Sequence, residues 1–461
     1  MSSAAVPVEL GTKKISSLLK DYAVPAIIAM TASSLYNMVD SIFIGNGIGP
    51  LAISSLGVCF PLMNLSTAFG TLVGVGGSTM LSVLLGQKNY AGANKVLGNV
   101  MTLNLLVGLM LMAVCLIWID PILRFFGATD NTIEYARDYM EIIMYGNVVT
   151  HLYFGLNAQM RSSGNPRFAM GLTIFTVIFN TILDPIFIFT FGLGVRGAAI
   201  ATVIAQTVAL VIIMTAFNNR TRVVHFEKGI FRFNWRIAKD SLSIGMGPFL
   251  MNSAACLVNL FINQQLLKYI GDLGIGAYGI IHRISFLFLM IVMGFNQGMQ
   301  PIAGYNYGSR QYSRVKEVYR LTVAWAVGVA TLGFIASEVF PGTICRIFTS
   351  DQELLELATK GLRMMNVVFP LVGFQMVSTN FFQSLGMVNK SIFLSLSRQL
   401  LFLIPLIYVL PLMLGSNGLW FAFPASDLIA TTATFIMIRQ VMKKFNALND
   451  GDDPAILGSK I

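Results

Sequence analysis

Charge is the scarcest commodity in this chain. Only 11% of its 461 residues are Asp, Glu, Lys or Arg, against 55% hydrophobic, and the mean hydropathy is +0.71. A soluble domain carries about 25% charged residues, so this chain cannot cover a water-facing surface, and lipid is its natural solvent. Its net charge of +10 does not indicate nucleic acid, because the basic residues lie between apolar runs and form no patch on a folded soluble face. Cysteine is also sparse. Cys59, Cys115, Cys256 and Cys345 make no CxxC, and each sits in or beside an apolar stretch, which excludes a disulfide framework and a thiolate metal site. HExxH, GxSxG and Walker A patterns are absent, so a membrane-embedded enzyme and an ATP-driven pump have no residues to stand on. Lys13 and Lys14 precede a long apolar run without a convincing cleavage site, which reads as a retained first span.

What is present is a series of long apolar runs. A membrane-crossing helix needs roughly 20 mostly apolar residues. The chain supplies such runs near 21–44, 51–85, 96–119, 133–158, 167–190, 197–218, 241–267, 276–306, 317–338, 353–384, 391–412 and 418–440. The expected fold is therefore an all-α integral membrane protein of twelve transmembrane helices. The expected organisation is an N-terminal segment 1–20, an N-lobe 21–218, a basic linker 219–240, a C-lobe 241–440 and a tail 441–461. Lys and Arg in alternate connections set the orientation. The favoured side carries twenty-two of them, among them Lys13, Lys88, Arg161, Arg222, Arg310, Lys390 and Lys443, and the other side seven at most. Both termini are expected in the cytoplasm of a multi-pass protein of the inner or plasma membrane.

An internal repeat divides the chain. Pro25 recurs as Pro248, Gly86–Gln87–Lys88–Asn89–Tyr90 as Gly308–Ser309–Arg310–Gln311–Tyr312, and Arg124 and Phe126 as Arg346 and Phe348. Glu134 and Ala136 recur as Glu356 and Ala358, Ser162–Ser163–Gly164 as Ser384–Leu385–Gly386, and Gly194 and Gly197 as Gly415 and Gly418. The offset hardly varies. Six spans per unit return the chain to its starting side, so two six-helix bundles are expected, related by a pseudo-two-fold axis along the membrane normal as in parallel-repeat transporters.

An ionisable group inside a bilayer costs at least about 2.5 kcal/mol and is functional by default. Asp40 lies in the first span on a polar stripe with Ser33 and either Tyr36 or Asn37. Asp184 lies in the fifth span, with Asn180 one turn earlier on the same face. Pro185 follows directly and removes a backbone N–H from the helix. Counted at about 1.5 Å per residue, Asp40, Asp184, Thr202 and Tyr139 share one depth nearer the outer face. Neighbouring carboxylates cannot both ionise cheaply, so such a cluster can take a proton, or hold Na⁺ among carboxylate, amide and hydroxyl oxygens. Tyr139, Tyr36 and Asn37 are candidate network or substrate contacts. The second half acts as a control: the repeat maps Asp40 to Asn263, Asp184 to about Pro405 and Thr202 to Phe423. Its own buried charges are Asp427, Arg398 and Arg283, read as a structural ion pair of Asp427 with one of the two arginines. His151 and His282 could titrate, but read first as satisfying local hydrogen bonds.

These features together resemble the multidrug and toxin extrusion (MATE) transporters over essentially the whole chain. The resemblance rests on the paired six-span halves and on the GQKNY loop with its echo GSRQY. It rests also on RSSGNP with its echo QSLGMVNK, on Pro25 and Asp40, and on Asn180–x–x–x–Asp184–Pro185. It implies secondary export of amphipathic, often cationic drugs by H⁺ or Na⁺ antiport, with no cofactor beyond the coupling ion, by a chain expected to be monomeric. In a DinF-like branch the coupling residues carry over onto Asp40, Asn180, Asp184 and Thr202, with Tyr139 beside them. A branch using C-lobe acids is disfavoured, because spans seven and ten hold no Asp or Glu beyond their outer margins. A lipid or lipid-linked oligosaccharide flippase of related two-lobe fold is the main rival, and it would need a strongly cationic cavity. A major-facilitator transporter is the other, but the loop after span two lacks a charged GxxxD-type signature. The charge asymmetry predicts that epitope tags at either terminus become protease-accessible only when right-side-out cells are permeabilised; digestion in intact cells would reverse the topology.

Overall fold

The computed structural model describes residues 8–47, 50–227 and 229–453, with the side chains at 8, 35–42, 45–47, 50, 51, 53, 54 and 272 outside the described set. Every regular element within it is helical. The first half runs α1 (Val8–Thr12), α2 (Ile15–Gly47), α3 (Pro50–Gly86), α4 (Tyr90–Ile117), α5 (Ile119–Phe125), α6 (Ile133–Tyr145), α7 (Asn147–Ser162), α8 (Pro166–Pro185) and α9 (Gly194–Phe217). The second runs α10 (Trp235–Tyr269), α11 (Asp272–Gly308), α12 (Tyr312–Val339), α13 (Pro341–Arg346), α14 (Gln352–Asn366), α15 (Phe369–Ser384), α16 (Val388–Leu396), α17 (Ile404–Leu414) and α18 (Ser416–Asn446). Wider π-helical turns, Ile186–Thr190 and Ser397–Leu403, follow α8 and join α16 to α17.

Among the described residues ten stretches are long and apolar enough to cross a bilayer, and α14 with α15, bent by 52° at their junction, makes an eleventh. The repeat completes the twelve. The counterpart of α14 and α15 is α6 and α7, which meet at Gly146. Glu134, Arg137, Asp138 and Glu141 on α6 depress its hydropathy, which is why this span is the faintest by composition. Leu412 and Met413 on α17 are 76% and 77% exposed, as suits helices whose outer faces meet lipid rather than water.

The repeat reaches down to backbone conformation. After α3, Lys88 adopts a left-handed φ of 59°, and after α11 Arg310 adopts 58°. The following amides close the same turn, Asn89 N–H donating to Leu84 O and Gln311 N–H to Asn306 O, each at 2.9 Å. This is a Schellman-type stop, normally given to glycine; a side chain there costs about 1 kcal/mol or more. Gly164 and Gly386 close the turns after α7 and α15 in the same way, with φ of 96° and 68°.

Two compact units emerge. The first comprises residues 1–12 and 28–249, and the second 13–27 and 250–460. Both α2 and α10 are thus divided within their length. Close backbone packing accounts for the assignment: a Cβ at Gly76 of α3 would overlap the carbonyl of Ser241 on α10, and one at Gly245 would overlap the carbonyl of Leu72. In the second unit a Cβ at Gly298 of α11 would fall 2.7 Å from the Ala23 nitrogen on α2. Helices this close have no room for a methyl group. Gly245→Val should therefore force α3 from α10 and cost about 1–3 kcal/mol, read as a lowered unfolding temperature in detergent; an unchanged transition would contradict this packing.

Candidate functional site

The first unit holds a cavity of about 340 Å³ walled by α2, α3, α6, α7, α8 and α9. Its polar wall includes Ser33, Tyr139, Asn147, Asn180, Thr202 and Gln206, and Phe60 and Phe154 contribute to its apolar side. Among the described residues no Lys or Arg lines it.

Tyr139 and Thr202, singled out by depth, and Asn180, singled out by its spacing from Asp184, meet at this cavity. Asp184 stands directly behind Asn180. Four residues apart on α8, they share one face, and Asn180 Nδ2 donates to Asp184 Oδ1 at 2.7 Å. Asp184 is wholly buried, and Asn180, Tyr139 and Thr202 are 3%, 2% and 8% exposed. Because the amide N–H₂ donates to the carboxylate, the Asn180 side-chain carbonyl remains an acceptor. Pro185 supplies no N–H, α8 ends there, and the chain relaxes into the π turn, in which Phe191 N–H donates to Ile186 O at 3.0 Å. π turns of this kind recur at functional sites. Tyr36, Asn37 and Asp40 lie within the helical span of α2, and their side chains fall outside the described residues.

The cavity also contains polar groups that reading single residues passed over. Thr150 Oγ1 donates to Gln206 Oε1, and Ser66 Oγ donates to Asn147 Oδ1 at 2.6 Å. Tyr153 lies 3.4 Å from both Thr173 and Thr176 through hydroxyl contacts. Taken singly, each is an uncharged polar residue in an apolar run; what joins them is convergence on one cavity. Hard oxygens of carboxylate, amide and hydroxyl suit either a proton or an alkali cation. No group of three or more His, Cys, Asp or Glu could hold a metal ion among the described residues.

The equivalent region of the second unit is built differently. Phe423, counterpart of Thr202, stacks on Tyr278 with ring centroids 5.9 Å apart, and Pro405 stands where the acid would be. Asp427 pairs with Arg398, whose Nε donates to Oδ1 at 2.7 Å. Arg283, expected among the buried charges, is exposed instead.

Known proteins match along the chain. The MatE family model matches residues 25–186 and 247–409. The multidrug export protein MepA of Staphylococcus haemolyticus (strain JCSC1435) is 27% identical over 424 residues, covering 92% of this chain and 93% of that protein. The solved structure of the MATE multidrug transporter DinF-BH in complex with the dye rhodamine 6G is 35% identical, covers 95% of this chain and 98% of its own, and superposes with a TM-score of 0.88. An outward-facing multidrug resistance MATE family transporter of the MOP superfamily, 24% identical, shares the fold with a TM-score of 0.90 over 97% of this chain and 100% of its own.

Removing one member of a buried ion pair strands the other, which costs about 3–5 kcal/mol, while replacing both with apolar residues is far milder. Asp427→Leu should therefore strongly lower the unfolding temperature, and adding Arg398→Met should recover most of the loss. Two additive destabilisations would show that the pair is not coupled.

Proposed function

The chain belongs to the MatE family of multidrug and toxin extrusion proteins, and on that premise we propose that it exports amphipathic, often cationic drugs by cation/drug antiport. It is a transporter and not an enzyme. Its coupling ion, H⁺ or Na⁺, is bound by the acid cluster of the first unit, at Asp40, Asn180, Asp184 and Thr202 with Tyr139 beside them. The observation that carries this reading is the Asn180–Asp184 hydrogen bond set immediately behind a polar cavity. The second unit has Pro405 and Phe423 in the matching places. Drug export is supported by the MepA proteins, whose name is multidrug export, and by the rhodamine 6G complex of DinF-BH. A cavity with no Lys or Arg among its described lining residues gives a pyrophosphate-linked lipid nothing to bind, which weighs against the flippase.

The cycle follows from charge. A carboxylate held in a low-dielectric wall binds a cation from outside and loses its negative charge. The amide–acid pair on α8 then changes its hydrogen bonding beside Pro185, where the π turn already departs from regular helix. Substrate affinity falls in the ion-loaded state and the drug leaves outward; the ion then departs into the cytoplasm, the side that carries both termini. Coupling requires that ion and drug favour the same conformations unequally. The protein works as a monomer in the inner or plasma membrane.

Asp184→Asn removes the charge and keeps the shape. In proteoliposomes with separately imposed pH and Na⁺ gradients, this variant should lose gradient-driven efflux of rhodamine 6G by about a hundredfold while retaining its unfolding temperature. Wild-type efflux by the variant would sink the assignment.

A further inference from the structure

The face of α7 that reaches the cavity continues along the helix as a buried polar stripe. Asn147, His151, Gly155 and Gln159 recur every four residues, so each step advances about 6 Å along the axis. The stripe packs against α3 and α4 within the first unit. Small residues on α3 and on α7 itself make the room: a Cβ at Gly77 of α3 would fall 2.8 Å from Gln159 Nε2, and one at Gly155 of α7 would overlap Asn104 Nδ2 of α4.

Hydrogen bonds determine the chemistry of this seam. Asn147 Nδ2 donates to Gly108 O at 3.1 Å, so its Oδ1 accepts the Ser66 hydroxyl proton at 2.6 Å. The Ser66 oxygen then has only lone pairs to offer His151 Nε2, which lies 3.3 Å away. His151 must donate from Nε2 and, in its neutral form, carries a bare acceptor at Nδ1. Among the described residues that atom is buried without a protein partner, as are Asn104 Oδ1 and both polar atoms of the Gln159 amide. His151, Asn104 and Gln159 are each 0% exposed. Four such atoms in one seam are unusual, since buried polar groups are almost always bonded. Where they are not bonded to protein, ordered water making about three bonds takes the place.

We propose that water bridging these four atoms forms a proton route from the first unit's cavity to the end of α7 at Arg161, and hence that the coupling ion is a proton. The inference rests on the cation-antiport reading. Its upper end is at Ser66 and Asn147, which line the cavity. A hydronium on the cavity side gives its proton to His151 Nδ1 as an O–H bond breaks and an N–H bond forms. That N–H bond then breaks toward the next water, and the ring returns to the Nε2–H form held by Ser66. One proton moves and nothing else changes. Asn104 and Gln159 do not carry it; their amides hold the water in line. Sodium would need several close oxygens at each stage, and among the described residues the seam's unpartnered oxygens are Asn104 Oδ1 and Gln159 Oε1.

Charged groups are few on the helices that wall the seam. Helix α3 has no charged residue, α4 has only Lys95 near its start, and α9 has only Arg196. Of the other helices against α7, α8 carries Arg167 and Asp184, and α6 carries Glu134, Tyr135, Arg137, Asp138, Tyr139, Glu141 and Tyr145, of which Tyr139 lines the cavity; Tyr153 and Arg161 are α7's own titratable groups besides His151.

The test uses the full chain in proteoliposomes with an internal pH indicator and an imposed rhodamine 6G gradient. Gln159→Met keeps the volume and breaks no protein hydrogen bond, and His151→Phe removes Nδ1. Each should slow proton movement driven by rhodamine 6G by about tenfold or more, with unfolding temperature and equilibrium binding of the dye at wild-type levels. Wild-type proton rates in both variants would overturn the proton route and leave antiport standing. Sodium-dependent movement of the dye without proton movement in the wild type would do the same. Movement of neither ion with the dye would overturn the antiport reading itself. Hydroxyl-radical labelling of the wild type supplies a readout that needs no variant: seam water should label the fully buried His151, and a protected His151 would also overturn the route.

Discussion

A backbone N–H or C=O facing hydrocarbon has no water to turn to, and each one left unpaired costs several kcal/mol. That constraint makes every regular element among the described residues a helix, and it also dictates how helices are allowed to end or break. The two stops at Lys88 and Arg310 accept a strained left-handed residue in return for capping carbonyls twice over. Where Pro185 deletes a donor, a wider turn re-pairs the amides beyond it. Irregular backbone survives only where its hydrogen bonds can be recovered, and in the first unit that place adjoins the acid.

The same solvent makes side-chain polarity expensive, so its distribution is informative. Both units inherit the same spans, turns and offsets. The first spends its polarity on a cavity ringed by amides and hydroxyls with Asp184 behind it. The second fills the matching ground with Phe423 against Tyr278 and neutralises Asp427 with Arg398. A repeat whose halves diverge in this way keeps a shared scaffold while lining its two halves differently.

Glycine links the two themes. Along α3 it admits α10 at one position and makes space for the Gln159 amide at the next. Close packing and buried polarity are thus served by adjacent positions of one helix that face different neighbours.

Much of this could be read along the chain, because hydropathy, the repeat offset, positive-side bias and the four-residue spacing of Asn180 and Asp184 are all local quantities. From these came the spans and the two halves, with only α6 and α7 faint because charged residues on α6 dilute their hydropathy. The tertiary structure alone decided that Asp184 sits behind Asn180 rather than on the cavity wall. It alone chose Arg398 over Arg283 as the partner of Asp427, brought Gln206, Thr150 and Asn147 to the cavity, and divided α2 and α10 between units. The physical reason is that these outcomes depend on which faces of separate helices meet. Depth along an axis can be counted from sequence, but rotation about it is settled by packing against neighbours.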